Sequence, residues 1–578
     1  MTIKFYHAKF IMAFDGIVTK KIVEELQTLI RYKIDKIYEP DKNTIILGLY
    51  GNFTNVAILS CISSSNYRIH LTNNMIKNQN VAPNFCMLLR KHILGYKIKS
   101  IYTKNLERIV FLELENDENP NNIIGKKLVV ELMGKHSNII LLDKNGIIID
   151  SLRHTYVERN ANRDIYPTSR YFEPTMAKLN LLEIKNFDEF YEKLDLNDEE
   201  YYLDKIAHAF NGISISNLQD LASQSCKFNY TSNKLLVHNI YNSLIDILNC
   251  NSLTIKMSSS KKDYCLCKND STDDVFSLNN AIDDFYFQKE TNELFKNYRN
   301  TLLNIILATL KKYEKRLENI DAKLEECKSM DKYKLYGELI TANLYKIPNY
   351  NASSLTLENY YNNNSLIKIP LDKKFSPQHN ANRYYKKYSK LKNALEIVSL
   401  QKQETIEEIK YIESIVYELD SCMNINDVQE IYDEISENEI FKLNKNKVNS
   451  KKKPKPKKIS SNKFAKFNPL KYNIDGYTIY VGRNNKENDY LTNKFANKND
   501  LWFHTKDIHG SHVILKTNPN ETIPESIIYE AAKLAAGHSK AKDSSNVPVD
   551  YCLVQYVKKV PGNKPGLVIY RNNKTIYI

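Results

Sequence analysis

Residues 482–513 read GRNNKENDYLTNKFANKNDLWFHTKDIHGSHV and contain Trp502, the only tryptophan of the chain. Alternating apolar residues predict a strand over 477–481, and a second strand is predicted over 500–504. Three residues whose side chains can donate to phosphates and base edges follow the first strand: Arg483, Asn484 and Asn485. The segment therefore predicts a polar β-domain that binds RNA.

The second half of this segment forms a predicted hairpin that is rich in histidine and turns at Gly510 and Ser511. We assign four of its side chains to the RNA-binding surface: Trp502, His504, Lys506 and His512. With His509, the histidines also suggest a metal site, but zinc needs a fourth ligand and carboxylates that orient the imidazoles. Because no cysteine is nearby, we expect imidazoles that face solvent or RNA, and no metal or other cofactor.

A lysine-rich stretch precedes this domain. Residues 441–471 contain twelve lysines and no aspartate or glutamate, with KKKPKPKK at 451–458. This stretch supplies nearly all of the formal net charge of +14, and its prolines favour an extended tether. It is either a solubilising linker or a polyanion-binding segment. For the second interpretation the candidate RNA contacts are Lys451, Lys452 and Lys453, together with Lys558 and Lys559 near the C-terminus.

Length and composition set the class of protein. A chain of 578 residues with 42% hydrophobic residues predicts several globular domains. We find no apolar run of about 18 to 20 residues that would span a membrane and no signal-peptide pattern in the first residues. The nine cysteines are scattered, which is typical of reduced thiols. We expect a cytosolic protein with no membrane partner.

The first 285 residues show two patterns. Asp15 is a predicted helix cap, residues 83–95 predict a short helix, and seven strand-like runs lie between residues 43 and 150. Residues 176–285 are predicted to be helical, with a helix-hairpin-helix at 206–222 that has Ser216 as a cap. Its turn either binds phosphate through backbone N–H groups or is a tight corner that needs glycine.

The middle of the chain contains two heptad helices. Residues 303–327 and 388–419 alternate apolar spacings of three and four. Lys402 and Thr405 are the polar positions of the second seam. Because the intervening segment is too long for a turn, we predict an antiparallel coiled-coil arm with a small tip domain; a parallel dimer is the alternative.

These patterns predict a multidomain α/β protein. The predicted parts are an α/β N-terminal domain (1–175), a helix-hairpin-helix domain (176–285) and a coiled-coil arm in two segments (286–335 and 380–440). A small tip domain (336–379) joins the two segments of the arm. A basic linker (441–471) and an α+β C-terminal domain (472–578) follow.

Ten motifs carry a family resemblance that spans the whole chain in order. They are MAFDGIV, FCMLLRKH, ELMGKHSNIILLD, YGELITANLY, NANRYYKKYSKLKNA, VGRNNKENDYLTNKFA, DLWFHTKDIHGSHV, AAKLAAGHSKA, VPVDY and VKKVPGNKPGLVIY. In these motifs the chain resembles the NFACT family. The resemblance implies that residues 1–175 bind tRNA and that the C-terminal domain binds RNA.

The resemblance also implies tRNA-contacting residues. The acidic-arginine pair of the family falls on Glu107 and Arg108, and a further glutamate falls on Glu131. The family usually has aspartate where this chain has Glu107, and proline where it has His509. A carboxylate could fix the rotamer of Arg108 while the guanidinium donates two hydrogen bonds to a phosphate or a base edge. Without the resemblance, an exposed ion pair would be the simpler interpretation.

The implied activity is ribosome-associated quality control. The implied partners are the large (50S) ribosomal subunit with its 23S rRNA and proteins, peptidyl-tRNA, alanine tRNA and the small RNA-binding factor RqcP. The protein would support template-free alanine tailing of stalled chains, with no catalytic residue of its own. Two alternatives are a fibronectin-binding adhesin, which would need an export signal, and a DNA glycosylase, which would need an N-terminal proline nucleophile.

Overall fold

The computed structural model of the protein describes residues 14–74, 79, 81–116, 125–156, 163–174, 178–194, 196, 202–225, 233–250, 252–257, 263–268, 277–347, 353–442, 467–518, 522–559 and 564–578. The chain forms two compact units, Met1–Thr291 and Asn292–Ile578. Each unit has its own hydrophobic core.

The first unit is built on a nine-stranded antiparallel sheet with the strand order β4-β3-β2-β1-β5-β6-β7-β8-β9. Its strands are β1 (Lys33–Asp41), β2 (Thr44–Gly51), β3 (Thr54–Cys61), β4 (Arg68–Leu71), β5 (Lys97–Tyr102), β6 (Ile109–Glu115), β7 (Lys126–Glu131), β8 (Asn138–Leu142) and β9 (Ile148–Ser151). Seven of these strands match the predicted runs. The two that do not, β1 and β5, lie at the centre of the sheet.

Both faces of this sheet carry apolar side chains, because alternate residues of a strand point to opposite faces. Val110 and Leu112 of β6 join the main core, whereas Ile109 and Phe111 join a second cluster. Helices α1 (Gly16–Leu26) and α2 (Asn84–Ile93) contribute their buried faces to the main core. As predicted, Asp15 caps α1 by accepting a hydrogen bond from Val18 N–H at 3.1 Å.

The helical region that follows also contains a β-hairpin. Its elements are α3 (Phe187–Glu192), α4 (Tyr202–Ala209), α5 (Ile215–Ser225), α6 (Asn233–Asn249), β10 (Leu253–Met257) and β11 (Tyr264–Lys268). The prediction of an entirely helical segment is therefore wrong, because the alternating residues of β11 pair with β10 along its whole length. Ser216 was also wrongly assigned as the cap: α5 begins earlier, and Ser214 Oγ accepts from Asn217 N–H at 3.2 Å.

Two long helices run in opposite directions, and the first of them begins before Asn292, where the second unit starts. Helix α7 (Ser277–Lys328) has 52 residues; α8 (Asp331–Ala342), the hairpin of β12 (Ser354–Asn359) and β13 (Ser365–Pro370), and α9 (Pro377–Ser421) follow. Ion pairs join Arg299 to Asp420 at 2.5 Å and Lys402 to Asp321 at 2.7 Å. The lysine in the heptad seam thus contacts a carboxylate of the opposite helix.

The C-terminal part of this unit is a six-stranded antiparallel sheet with the order β14-β15-β17-β16-β18-β21, next to the two-stranded sheet β19-β20. The elements after α9 are α10 (Ile425–Glu437), α11 (Glu439–Lys442), β14 (Leu470–Ile474), β15 (Tyr477–Val481), α12 (Asn485–Tyr490), β16 (Leu501–Thr505), β17 (Val513–Leu515), α13 (Glu525–Gly537), β18 (Pro548–Leu553), β19 (Val557–Lys559), β20 (Val568–Tyr570) and β21 (Lys574–Tyr577). The small residues of α13 allow close packing on the sheet, as predicted: Ala531, Ala532 and Ala535 are buried in its core.

In the described ranges, no helix combines the length and the apolar composition that a membrane crossing requires.

Candidate RNA-binding sites

Arg108 is held in place by a tyrosine. Its Nη1 donates a hydrogen bond to the Tyr67 hydroxyl at 2.8 Å, and the guanidinium carbon lies 5.6 Å from the centre of that ring. Burial raises the pKa of Tyr67, although the charge of Arg108 opposes the shift, so the phenol stays neutral and accepts. Arg108 is half-buried and lies directly before β6, so Tyr67 orients its guanidinium at the start of that strand.

Glu107 does not fix the arginine rotamer. Burial raises the pKa of its carboxyl group, and the nearby Glu173 raises it further. No ion pair between Glu107 and Arg108 is found in the described part of the chain. Tyr67 is the side chain that hydrogen-bonds to the Arg108 guanidinium, and the charged groups that act on the Glu107 carboxyl group are Glu173 and Lys104.

Glu131 is buried, with none of its surface exposed. It forms an ion pair with Arg163, and the Tyr171 hydroxyl donates to its Oε1 at 2.8 Å. The carboxylate raises the pKa of Tyr171, whose burial is the larger cause. The prediction that Glu131 contacts tRNA directly is wrong for this conformation, because both partners cover it. Arg163, whose side chain is 21% exposed, is the charged group of this pair that lies at the surface.

The turn before Arg108 contacts the helix-hairpin-helix. Asn105 and Leu106 both have positive φ angles, and the Leu106 carbonyl lies against Gly16 and Gly212. The Gly212 carbonyl accepts from Gly16 N–H at 2.9 Å. Three segments that are far apart in sequence therefore meet beside Arg108.

The Asp15 side chain accepts hydrogen bonds from the turn of the helix-hairpin-helix. Its Oδ2 accepts from Ser214 N–H at 3.0 Å and from the Asn217 amide at 2.6 Å. One of the N–H groups at the start of α5 is thus already bonded to a side chain of the same unit. The alternative that the glycine turn serves as a tight structural corner is the one that these contacts favour.

Lys178 adds a positive charge to this junction and was not predicted. Burial lowers the pKa of its ammonium group, and the charge of Arg108 lowers it further. Its Nζ donates to the Ala207 carbonyl at 2.7 Å. The sequence gives no sign that Lys178 and Tyr67 lie near Arg108, because all three are far apart in the chain and only the fold brings them together. Two cations beside one half-buried surface suit a phosphate.

The donor residues Arg483 and Asn484, which follow β15, contact acidic residues of the helical arm. Arg483 pairs with Glu487 at 2.7 Å and with Asp427 at 3.2 Å. Asn484 caps α12 by accepting from Glu487 N–H at 2.9 Å, and its amide donates to Glu430 at 2.7 Å. Carboxylates of the arm thus already accept from Arg483 and Asn484, and a contact of these two residues with RNA stays a prediction.

Asn485 is the third member of this contact. It is buried, and its amide donates to Ser414 Oγ at 3.2 Å and to Glu434 at 3.4 Å. Its assignment to RNA likewise stays a prediction. The three residues hold the C-terminal sheet domain against α9 and α10.

The histidine cluster is mostly inside the domain. His512 is buried and its Nδ1 lies 2.7 Å from Thr492 Oγ1, and Trp502 has no exposed surface. Burial lowers the pKa of His504 to about 4 and that of His512 to about 3. Trp502 and His512 are therefore packed inside the domain and not exposed on its surface, and His504 is half-buried. A contact of these rings with RNA stays a prediction.

The exposed cations of this domain are lysines. Lys506, Lys558 and Lys559 are all exposed, and Lys559 also pairs with Asp489 at 2.8 Å. The predicted contacts Lys451, Lys452 and Lys453 lie outside the described residues. Among the residues that are described, no group of three His, Cys, Asp or Glu side chains could hold a metal ion.

The contact between arm and sheet domain should depend on pH. Burial is the largest cause that raises the pKa of Glu418 well above its ordinary value of 4.5, and Glu434 raises it further. A raised pKa means that the contribution of Glu418 to stability is full below about pH 4.5 and is lost as pH rises through the folded-state pKa.

We therefore expect Glu418→Gln to have the melting temperature of the wild type near pH 4.5 and to exceed it by about 2 °C or more at pH 8. Thermal unfolding followed by circular dichroism at several pH values measures this. Glu413→Gln, whose side chain is 43% exposed on the same helix, is the matched control. A constant difference across the pH range would contradict the prediction.

Two protein families match most of the chain. Residues 15–455 match the family described as NFACT N-terminal and middle domains, and residues 463–572 match the NFACT protein RNA binding domain. These matches agree with the motifs that suggested the family.

Two relatives cover nearly the whole chain, and one solved structure covers about half of it. A protein of Bacillus subtilis named Rqc2 homolog RqcH is 32% identical over 577 residues, which are 98% of each chain. Its namesake in Streptococcus suis is 31% identical over 577 residues, also 98% of each chain. The crystal structure of the fibrinogen binding protein from Staphylococcus aureus is 26% identical, with a TM-score of 0.41, and covers 48% of this chain and 99% of that one. From the two domain matches and the full-length relatives, the chain belongs to the NFACT family.

Proposed function

We propose that this protein is a ribosome quality control factor that binds a large (50S) ribosomal subunit obstructed by peptidyl-tRNA. It recruits alanine tRNA and directs the template-free addition of alanine to the C-terminus of the stalled chain, which marks that chain for degradation. The observation that carries the proposal is the similarity over 98% of both chains to a protein named Rqc2 homolog RqcH. The match of residues 463–572 to an RNA-binding domain agrees with it.

In this proposal the junction around Arg108 holds tRNA. Arg108 and Lys178 supply two positive charges, and Tyr67 keeps the guanidinium in one orientation. Arg163, positioned by Glu131, supplies a further cation on the first unit. Backbone phosphates are the group that such cations bind without reading sequence.

The protein would position substrates and form no bonds itself. Peptide-bond formation would take place in the peptidyl-transferase centre of the ribosome, so no residue here is assigned a catalytic role. The 23S rRNA, ribosomal proteins and the small factor RqcP are the proposed partners, and the cytoplasm is the proposed location.

An in vitro tailing reaction tests this function. Purified protein is added to isolated 50S subunits that carry a stalled peptidyl-tRNA, with alanine tRNA charged by its synthetase. The expected result is a ladder of released peptides that differ by one alanine mass. Peptides of unchanged mass, with subunit binding intact, would overturn the tailing activity.

The lysine linker should control the salt dependence of RNA binding. Replacing Lys451, Lys452 and Lys453 with alanine removes three charges, so the slope of log affinity against log salt should become shallower by about 2. Filter binding of a single-stranded RNA at four salt concentrations measures the slope. Replacing three lysines of the arm, Lys311, Lys312 and Lys315, is the charge-matched control. An unchanged slope in the linker variant would show that the linker acts only as a tether.

A further inference from the structure

The second unit contains a cavity between α9 and the C-terminal sheet domain. Its volume is about 360 Å³, and its lining includes Trp502, Glu418, His504 and His512. By comparison, one water molecule has a share of about 30 Å³ in the liquid. The cavity is therefore large enough for a small organic group, and its volume lies in the usual range for ligand pockets.

Two buried polar atoms of the lining have no hydrogen-bond partner in the described part of the chain: Trp502 Nε1 and Glu418 Oε2. Trp502 has no exposed surface and Glu418 is 6% exposed. An unsatisfied buried polar group is costly, so native proteins rarely keep one without a ligand or water. The indole N–H can only donate. A ligand that satisfies it must carry an acceptor, and one that also reaches Glu418 must carry a second polar edge.

The charges of the lining disfavour an anion. Glu418 and Asp507 line the cavity, as does Glu413, and burial holds the two inner histidines neutral by lowering their pKa values. Lys410 is the lysine of the lining, and it is exposed at the rim. A phosphate would meet more carboxylates than cations inside. A neutral ligand fits the interior, and a single phosphate fits only the rim.

One part of the cavity wall is aromatic and apolar. Tyr570, Leu567 and Val568 line the cavity together with the indole, and the Tyr570 ring centre lies 4.8 Å from that of Trp502. Aromatic and apolar walls of this kind stack on planar heterocycles.

From these observations we propose that the cavity binds one unpaired nucleobase, which places a ring acceptor at Trp502 Nε1 and its polar edge at Glu418. The inference rests on the proposed function, since an RNA-binding protein meets such bases in unpaired rRNA or tRNA. Lys410 at the rim is placed to contact the phosphate that follows the base. A free nucleoside presents the same chemistry, and the experiment below separates the two sources.

Trp502 is a built-in probe, because it is the only tryptophan of the chain and lies in the cavity lining. The full-length protein is titrated with a single-stranded oligoribonucleotide, with an abasic oligomer of equal length and charge, and with the four nucleosides. We expect the base-containing oligomer to change the Trp502 emission and to bind about tenfold more tightly than the abasic oligomer.

A substitution that fills the cavity links this signal to the site. Val568 and Tyr570 of β20 line the cavity, whereas Ile569 between them is 58% exposed. Val568→Phe should weaken binding of the base-containing oligomer about tenfold and leave the abasic oligomer unaffected. Ile569→Phe adds the same ring on the other face of the strand and should change neither. Equal melting temperatures of the two variants show that both are folded.

The outcomes separate the two proposals. Equal binding of both oligomers with constant Trp502 emission would overturn the nucleobase site and leave RNA binding in place. A response to nucleosides with no RNA binding would support the site, assign it to free nucleosides and overturn the proposed function. No binding of any probe would overturn both.

Discussion

Replacing Glu107 and Arg108 together with alanine should abolish alanine tailing and leave binding to the large subunit unchanged. Arg108 is the half-buried cation that Tyr67 orients at 2.8 Å, and a phosphate or base contact by such a guanidinium contributes about 1 to 3 kcal/mol. Its loss should weaken tRNA binding by roughly tenfold or more. The tailing reaction and co-sedimentation with 50S subunits measure the two activities separately.

The single variants show which side chain is responsible. Arg108→Ala should reproduce most of the loss, and Tyr67→Phe should lose less, because it removes the hydrogen bond but keeps the ring. Lys104→Ala is the matched control: it lies on the same turn but pairs with Glu173 at 2.6 Å on the exposed surface. Full tailing by the double variant would remove this junction from the proposed tRNA site.

Gly212→Ala should destabilise the first unit by about 3 to 5 kcal/mol. The φ angle of Gly212 is +74°, and an added Cβ would lie 2.2 Å from the Leu106 carbonyl oxygen and 2.7 Å from the Leu106 Cβ. The hairpin turn would have to move away from α1 and from the turn that carries Arg108. Chemical denaturation of the full-length protein, followed by circular dichroism, measures the change.

Substitution of Gly146 serves as a control that has the backbone strain without the steric collision. Its φ angle is +78°, almost that of Gly212, but an added Cβ would meet no atom within 4 Å. Gly146→Ala should therefore cost only about 1 to 2 kcal/mol, the penalty of a left-handed conformation alone. If the two variants lose the same stability, the close approach of Leu106 to Gly212 is not a source of the destabilisation.

Local sequence patterns predicted most of the large sheet but missed its central strands. β1 contains Lys33, Asp35 and Lys36 together with Pro40, and β5 also alternates lysine with apolar residues. These residues resemble a loop in isolation. They become strands because β1 pairs with β2 on one side and with β5 on the other, which is a property of the fold and not of the local segment.

The sequence indicated which side chains of the candidate sites bind anions, but it did not indicate which groups they contact. The donors Arg483, Asn484 and Asn485 are suited to anions, as expected, but carboxylates of α10 are the anions that they contact. Those carboxylates lie about 50 to 60 residues earlier in the chain, and nothing in the motif indicates them. Glu131 is a similar case, because only the fold brings Arg163 over its carboxylate.

The most direct test is to identify the RNA that the protein carries in its own cells. The tagged protein is purified, one half is washed in high salt, and the RNA that remains is sequenced. We predict 23S rRNA together with one enriched tRNA, that of alanine, in the high-salt fraction. Bulk RNA that is lost with salt would reduce the protein to a non-specific polycation, and the absence of any RNA would contradict a function on the ribosome.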